Sequence, residues 1–381
     1  MTHFFDADFK LGVLGGGQLG RMLIEAGGPL NIWFSMLDPA ADAPCAHIAH
    51  EFVQGSFDDY ETVLAFGRDK SVITVEIEHV SVPALKQLKK QGKWVYPSPE
   101  ILEIVQDKGQ QKQFFENHGI PTSKFELFDS GSEALQSFGT PCVLKLRKGG
   151  YDGRGVMVIK DTHSALPLFD TPVVAEEKVD ILKELSVIVS RNASGQTSVF
   201  PSVEMYFNSE ANLVELLFSP ANISPHQEQQ AQELGLRVAE AFNLVGIMAV
   251  EMFLTPEGTL LVNEVAPRPH NSGHHSIEAN ITSQYQQHLR ALLNLPPGDT
   301  ALRTPAAMAN LLGAKGHDGP VFYQGLEQAL ATTGVFVHLY GKSHTKPFRK
   351  MGHITALANT SEEACAKAQT AARAISVRSS R

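Results

Sequence analysis

The sequence predicts an α/β unit, then an α+β unit, then a smaller strand-rich unit. Three observations carry that reading. The first hundred residues alternate short apolar strands with helical segments, which is the order of a parallel sheet flanked by helices. The middle of the chain places apolar, β-branched runs around Val143, Val156, Val173, Leu185 and Val199 with little helix between them. Leu295-Pro-Pro-Gly-Asp299 then reads as a linker. The expected units span residues 1–100, 101–298 and 299–381.

Taken in order, Leu11–Leu14, Ile32–Leu37 and Ser71–Ile77 are expected strands. Helices are expected over Gln18–Ala26, Tyr60–Phe66 and Val82–Lys90, with Pro97-Ser-Pro99 closing the unit. One helix is then expected over Pro99–His118, a longer one over His226–Phe242, and a hairpin over Ile247–Val265. The last unit ends in a helix near Glu362–Ile375, where Thr360 and Glu363 form a capping-box pattern.

The composition narrows the function. With 381 residues the core is ample, and 43% hydrophobic with 19% charged residues is ordinary for a soluble globular chain. A net charge of −9 argues against a nucleic-acid-coating protein or a basic membrane binder. It leaves room for a nucleotide substrate, which needs only a few local cations. Cys45, Cys142 and Cys365 are far apart, so neither a disulfide framework nor a structural zinc site is expected, and the cytoplasm is the expected setting. The acidic N-terminus lacks a signal-peptide pattern, and no apolar run reaches the roughly 18 residues of a membrane span.

The most informative stretch is Lys145-Leu-Arg-Lys-Gly-Gly-Tyr-Asp-Gly-Arg-Gly155 between two strand-like runs. Gly149, Gly150, Gly153 and Gly155 let the backbone bend and approach a ligand closely. With Lys145, Lys148 and Arg154 they form a cationic flap suited to phosphates. It is not a Walker loop, because no Gly-Lys-Ser/Thr occurs and no helix follows directly. The bland alternative is a flexible hairpin with solvated charges.

Gly15-Gly-Gly-Gln-Leu-Gly20 matches the dinucleotide fingerprint, and Asp38 ends the next strand. A nicotinamide dehydrogenase is therefore a competing reading. The physics requires less, since a tight glycine turn at a helix N-terminus receives any phosphate or carboxylate. Gln18 adds an amide donor there.

Glu251 and Glu264 interrupt apolar runs on the two arms of the Ile247–Val265 hairpin. With Pro256 and Glu257 at the turn centre, Glu251 faces Val262. Glu264 then lies diagonally on the same face, roughly 7–8 Å away. Two carboxylates so placed suit magnesium shared with substrate phosphates. Asn263 is expected on the opposite face. Immediately beyond, Arg268, Asn271, Ser272 and His274 are anion donors. An exposed acidic hairpin and a zinc site at His270, His274 and His275 are the alternatives, the first disfavoured because carboxylates amid apolar residues need partners.

These motifs together resemble the N5-carboxyaminoimidazole ribonucleotide synthases, a family of the ATP-grasp superfamily. The landmarks run nearly end to end. They are Gly15–Met22, Thr74–Val80, Asp107-Lys108, Gln111-Lys112, Gly149–Gly155, Met248–Phe253, Asn263–Arg268, His270–His274, Tyr340–Lys342 and Arg349–His353. The resemblance implies a three-domain ATP-grasp fold whose first domain is Rossmann-like. It implies ATP and bicarbonate as substrates, carboxylation of aminoimidazole ribonucleotide, and magnesium held by Glu251 and Glu264. For ATP it implies Lys108 and Lys145 at the phosphates under Gly149, Gly150, Tyr151, Asp152, Gly153, Arg154 and Gly155. It places Glu176, Glu177, Lys178 and Val179 at the adenine edge, Glu184 at the ribose, and Asn263 beside Glu264.

For the ribonucleotide it implies Gln18, Glu76, Tyr151, Asp152, Asn271, Ser272, Lys342, Arg349 and Lys350. Glu76, Asp152, Arg268 and His274 form the implied catalytic set. A homodimer and handover of product to N5-carboxyaminoimidazole ribonucleotide mutase are also implied. The chain departs from the family's Glu-Asn-x-His at Glu204-Met-Tyr-Phe207, so Phe207 receives no role. The rivals are sister ligases that formylate glycinamide ribonucleotide or carboxylate biotin, and a catalytically inactive nucleotide binder. The Tyr-Asp of the flap and the Lys342…Arg349 pair favour the aminoimidazole substrate.

Overall fold

The computed structural model describes residues 6–150, 155–161, 168–208 and 213–380. Strands β1 (Leu11–Leu14), β2 (Phe34–Asp38), β3 (Glu51–Gln54), β4 (Val72–Val75) and β5 (Trp94–Val95) form a parallel sheet in the order β3-β2-β1-β4-β5. Every residue of β1, β2 and β4 is buried, as expected of strands covered on both faces by helices. The helices are α1 (Gln18–Gly27), α2 (Tyr60–Gly67) and α3 (Val82–Lys90). From β1 the chain builds outward through β2 to β3, then crosses to the other side of β1 for β4. That reversal opens a crevice at the C-terminal ends of β1 and β4, where open α/β sheets receive ligands.

The single helix expected over Pro99–His118 is two, α4 (Pro99–Val105) and α5 (Lys108–Asn117). Asp107 breaks it. Its carboxylate accepts from Gly109 N at 2.9 Å and Gln110 N at 3.3 Å, so it starts a new helix. Next come β6 (Phe125–Phe128), α6 (Gly131–Ser137), β7 (Cys142–Leu146), β8 (Val156–Ile159) and β9 (Val173–Glu177). These strands form an antiparallel sheet in the order β6-β9-β7-β8. The strand, glycine loop, strand reading is thus realised by β7 and β8.

The rest of the central region supplies β10 (Lys183–Arg191), β11 (Thr197–Val199), β12 (Val203–Asn208), β13 (Leu213–Ser219), α7 (Pro225–Ala241), β14 (Gly246–Leu254), β15 (Leu260–Ala266), α8 (Ser276–Ala279) and α9 (Gln284–Leu292). The C-terminal part adds β16 (Ala306–Leu312), β17 (Gly319–Gln324), α10 (Leu326–Leu330), β18 (Val335–Leu339), β19 (His344–Thr345), β20 (Lys350–Leu357), α11 (Ser361–Ala374) and β21 (Ser376–Ser379). One nine-stranded sheet runs through both, in the order β15-β14-β10-β12-β13-β16-β20-β18, with β11 paired to β10. The β13–β16 ladder joins Leu216↔Ala309 through Ser219↔Ala306, so backbone hydrogen bonds cross the 298/299 junction. Alanines at positions 364, 368 and 371 let α11 lie close on this sheet against Leu216, Phe218 and Ile354.

The core of the central region fills one face of β10 and β14 with Leu185, Val187, Val250 and Met252 beneath α7. Alternation turns Glu184, Ser186 and Glu251 to the other face. Between the first unit and this sheet lies α9, whose wholly buried His288 approaches Thr74 Oγ1 at 3.2 Å through Nε2. Burial pushes His288 down to about 3.

A histidine depressed in the fold but normal in the unfolded chain must lose stability as pH falls below about 6.5. The unfolded chain then takes up a proton that the native state refuses. Urea unfolding of the wild type and His288→Gln at several pH values should show the wild type losing about 1.4 kcal/mol per pH unit relative to the variant between pH 6 and 4. A gap independent of pH would show that His288 is not held neutral.

Candidate functional site

The carboxylate hairpin differs from its expected register in two ways. The turn Thr255–Gly258 carries Gly258 at φ +86°, and Thr255 N donates to Thr259 O at 2.9 Å, so the first strand pair is Leu254↔Leu260. Then Met252 pairs with Val262 but Glu251 pairs with Glu264, which leaves Asn263 as the extra residue of a β-bulge. Glu251 and Glu264 are therefore directly opposite rather than diagonal. The bulge also turns Asn263 to the carboxylate face, where an unbroken ladder would have turned it away. There Asn263 Oδ1 accepts from Lys145 Nζ at 2.8 Å. The outer edge of β15 is covered, since Val262 N donates to Pro121 O at 2.8 Å and Val265 N to Gln111 Oε1 at 3.3 Å.

Two lysines face these carboxylates from separate elements. Lys108, the first residue of α5, pairs with Glu264 Oε2. Lys145, on β7, reaches Asn263 and lies 2.9 Å from Glu176 Oε1. Glu176, on neighbouring β9, has only 4% of its side chain exposed, and its Oε2 lies 2.9 Å from Lys112 Nζ and accepts from Ser123 Oγ at 2.6 Å. Burial alone would push this carboxyl up, but Lys145 and Lys112 draw it down to about 2. Burial pushes Lys112 down to about 8 against the pull of Glu176. Asp107 fixes Lys108 by holding Arg147 in a bidentate pair, Nε–Oδ1 at 3.0 Å and Nη2–Oδ2 at 2.8 Å, while Lys108 N donates to Arg147 O at 2.9 Å. Lys112 and Arg147 carry this arrangement, yet the sequence reading assigned them no role. The signal was present, since Lys112 stands four residues after Lys108 on one helix face.

On the acidic side, burial and then the neighbouring Glu264 and Glu184 hold Glu251 above the usual carboxylate range. Burial pushes Glu184 up to about 7. Lys108 holds the paired Glu264 low, so the two opposed carboxyl groups, Glu251 and Glu264, with the amide oxygen of Asn263 make an all-oxygen donor set that fits a hard divalent ion.

The glycine turn does not hold a dinucleotide. Glu76, just beyond β4, accepts from Gly17 N at 2.7 Å and Gly20 N at 2.9 Å. Its carboxylate occupies the helix N-terminus that a pyrophosphate would need. Asp38, the acidic residue of the dinucleotide fingerprint, accepts from Gly16 N at 2.8 Å and Ala40 N at 2.9 Å. A Cβ on Gly17 would lie 2.6 Å from Glu76 Oε1, so the glycine makes room for this internal carboxylate. Gln18 opens α1 at the same turn and is half-buried.

The loop Arg268–His274 approaches from β15. Arg268 Nε lies 2.8 Å from Glu78 Oε1, which ties the loop to the first unit. His270 Nε2 lies 3.5 Å from Glu251 Oε1. Asn271 and Ser272, expected as anion donors, spend their side chains internally. Asn271 exchanges amide bonds of 2.9 and 3.0 Å with Asn310, and Ser272 Oγ meets Ser186 Oγ at 2.8 Å and His270 Nδ1 at 2.9 Å. Both are buried, so the loop folds onto the sheet rather than opening to it. His274 is also buried, its ring 4.8 Å from that of His353.

The Glu176 carboxyl is turned to the lysines and its backbone lies in the sheet between β6 and β7, whereas Glu177 and Lys178 are exposed at the end of β9 and Val179 is partly exposed. Gly149, at φ +76°, and Gly150 begin the flap and Gly155, at φ +78°, ends it. Tyr151, Asp152, Gly153 and Arg154 lie outside the described residues. Lys342 and Arg349 both lie on the connection between paired β18 and β20. Lys342 Nζ donates to Lys350 O at 2.7 Å, and Arg349 Nη1 to His344 O at 2.6 Å. Ser343 on that connection bonds Asp42, which brings the cations beside the first unit. Phe348 holds φ +63° directly before Arg349, a costly backbone state for a bulky residue and common at ligand clamps.

Residues 9–106 match a ribonucleotide synthetase preATP-grasp domain, 113–285 an ATP-grasp domain and 306–367 a phosphoribosylaminoimidazole carboxylase C-terminal domain. The chain is 40% identical over 355 residues to the chloroplastic phosphoribosylaminoimidazole carboxylase of Vigna aconitifolia, covering 91% of this chain but 63% of that protein. It thus spans under two thirds of that longer relative. The crystal structure of N5-carboxyaminoimidazole ribonucleotide synthetase from Thermotoga maritima is 41% identical with a TM-score of 0.89, covering 97% of this chain and 99% of that one. The Aspergillus clavatus N5-carboxyaminoimidazole synthase, solved with ADP and 5-aminoimidazole ribonucleotide, is 34% identical with a TM-score of 0.86, covering 96% and 98%. Landmarks, fold and end-to-end similarity agree: the chain belongs to the N5-carboxyaminoimidazole ribonucleotide synthase family of ATP-grasp enzymes.

Proposed function

We propose that this chain uses ATP and bicarbonate to carboxylate the exocyclic amine of 5-aminoimidazole ribonucleotide in purine biosynthesis. The observation that carries this reading is the β-bulge cluster, in which Glu251, Asn263 and Glu264 face Lys108 and Lys145. Glu251 and Glu264 would hold magnesium, which supplies charge neutralisation at the ATP phosphates when bound. Lys108 and Lys145 neutralise the γ-phosphoryl oxygens as charge spreads over them. Bicarbonate, held by Arg268 and the following loop, attacks that phosphorus to give carboxyphosphate and ADP. Carboxyphosphate is labile in water, so the flap residues Gly149–Gly155 exclude solvent. Lys342, Arg349 and Lys350 hold the ribonucleotide phosphate, and Gln18 lies beside the crevice between β1 and β4. Asp152 and Glu76 orient or deprotonate the amine. The reading includes a homodimer, a cytoplasmic setting and handover of product to N5-carboxyaminoimidazole ribonucleotide mutase, on the strength of the family resemblance. Among the described residues no helix is long and apolar enough to cross a membrane.

Bicarbonate and aminoimidazole ribonucleotide together should stimulate ADP release, and label from bicarbonate should appear in the product. Equal turnover with formate would overturn the choice of acceptor chemistry.

Glu264→Gln should nearly abolish turnover while circular dichroism stays native, because it removes a charge yet keeps the side chain's size. Wild-type turnover in this variant would show that the Glu251–Glu264 pair is only structural.

Arg349→Ala should weaken ribonucleotide binding by about 1.5–3 kcal/mol, the scale of hydrogen bonds to charged groups, and leave the KM for ATP nearly unchanged. Steady-state kinetics with each substrate varied distinguishes this from a general loss. An equal rise in both KM values would dismiss a dedicated phosphate role.

A further inference from the structure

We infer that Gln284 is a positioning residue that locks His274 in its Nε2–H tautomer, so that the loop Arg268–His274 meets bicarbonate with a neutral donor. The functional half of this inference rests on the reaction proposed above. Gln284 opens α9, and its side chain is wholly buried beneath the loop. Its amide has one orientation only. His270 N donates to Gln284 Oε1 at 2.9 Å, and Gln284 Nε2 donates to His270 O at 2.8 Å. A backbone N–H cannot accept and a carbonyl cannot donate, so these two bonds settle which end of the amide is nitrogen. That nitrogen is also 3.2 Å from His274 Nδ1. Its second hydrogen is a donor, so Nδ1 must carry the lone pair and the ring proton must sit on Nε2. The Tyr285 hydroxyl lies 3.0 Å from the same Nδ1 and 3.3 Å from Met22 Sδ, so its one hydrogen has both as acceptors.

The surroundings are built for this contact. A Cβ on Gly273 would lie 2.5 Å from Gln284 Oε1 and 2.3 Å from Ile188 Cδ1, so only glycine admits the amide. Ser276 Oγ accepts from Gln284 N at 2.9 Å and anchors the start of α9. The His274 ring is held against His353 with centroids 4.8 Å apart. Burial, and then the neighbouring His270 and Lys350, keep the His274 ring neutral. The chemistry benefits from that neutrality. Bicarbonate must keep an anionic oxygen to attack phosphorus. A charged imidazolium would offer it a proton, whereas a neutral N–H holds it without protonating it.

The test is nitrogen-15 NMR of histidine-labelled protein without ligand, comparing wild type, Gln284→Glu and Gln284→Met. The His274 signal is identified by its loss in His274→Asn. The wild type should show the Nε2–H tautomer. Gln284→Glu places an acceptor at Nδ1 and should convert the ring to Nδ1–H or to the doubly protonated form. In Gln284→Met the KM for bicarbonate should rise roughly tenfold, the scale at which losing a partner that orients a functional histidine acts in metal sites, with the KM for ATP within about twofold. An unchanged tautomer in a folded Gln284→Glu would overturn the lock. A converted tautomer with an unchanged KM for bicarbonate would overturn its function. A wild type that shows the lock but no bicarbonate-dependent ADP release would sink the proposed reaction and leave the lock standing.

Discussion

Glu176 is withdrawn from water, and a buried carboxylate must be compensated where it sits. Lys112, Lys145 and Ser123 do this from three different segments. The compensation is what aims Lys145. On the sheet, Lys145 and Glu176 are diagonal neighbours on one face, since Glu176 pairs with Val143. Held from behind by Glu176, the lysine reaches forward to Asn263. Lys108 is placed the same way by the Asp107–Arg147 pair and ends at Glu264. Each cation that faces the cleft is thus oriented from its own side and met across it by an oxygen, the carboxylate of Glu264 for Lys108 and the amide of Asn263 for Lys145. Removing Lys112 or Lys145 would leave the buried Glu176 charge short of a partner, which costs more than any single contact contributes.

The β-bulge at Asn263 is the complementary device on the acidic side. A regular ladder alternates faces, so consecutive residues cannot both point at one ligand. The extra residue breaks alternation for one step and places Asn263 and Glu264 together, with Glu251 opposite. Serine and histidine side chains close the floor through Ser186, Ser272 and His270. The result is an oxygen-lined cradle beside two ammonium groups.

Much of the fold was legible because its signals are local. Buried strands such as Leu11–Leu14 are too short and too apolar to be helices, and Val82–Lys90 begins and ends where its sequence says. The Pro99–His118 helix was misread as one element because Asp107 looks like an ordinary polar position until its carboxylate is seen capping α5. The site was legible as motifs but not as geometry. A one-residue bulge leaves no clear mark in Thr259–Val265. Glu76 read as a substrate ligand, and nothing in the sequence says that its carboxylate folds back into the glycine turn. Asn271 and Ser272 read as donors, and their consumption by Asn310 and Ser186 depends on residues far away in the chain.

The nine-stranded sheet decides how such a molecule can move. Its ladder passes unbroken from β13 to β16, so bending there would break a row of backbone hydrogen bonds. The carboxylates on β14 and β15 and the cations between β18 and β20 therefore belong to one stiff plate. Among the described residues, the smaller β6-β9-β7-β8 sheet shares no strand pairing with that plate. It carries Lys145, and it meets the plate across the cleft through side chains such as Asn263. Any movement across the cleft would therefore have to be carried by this smaller sheet, a jaw against an anvil whose own parts are tied by backbone hydrogen bonds.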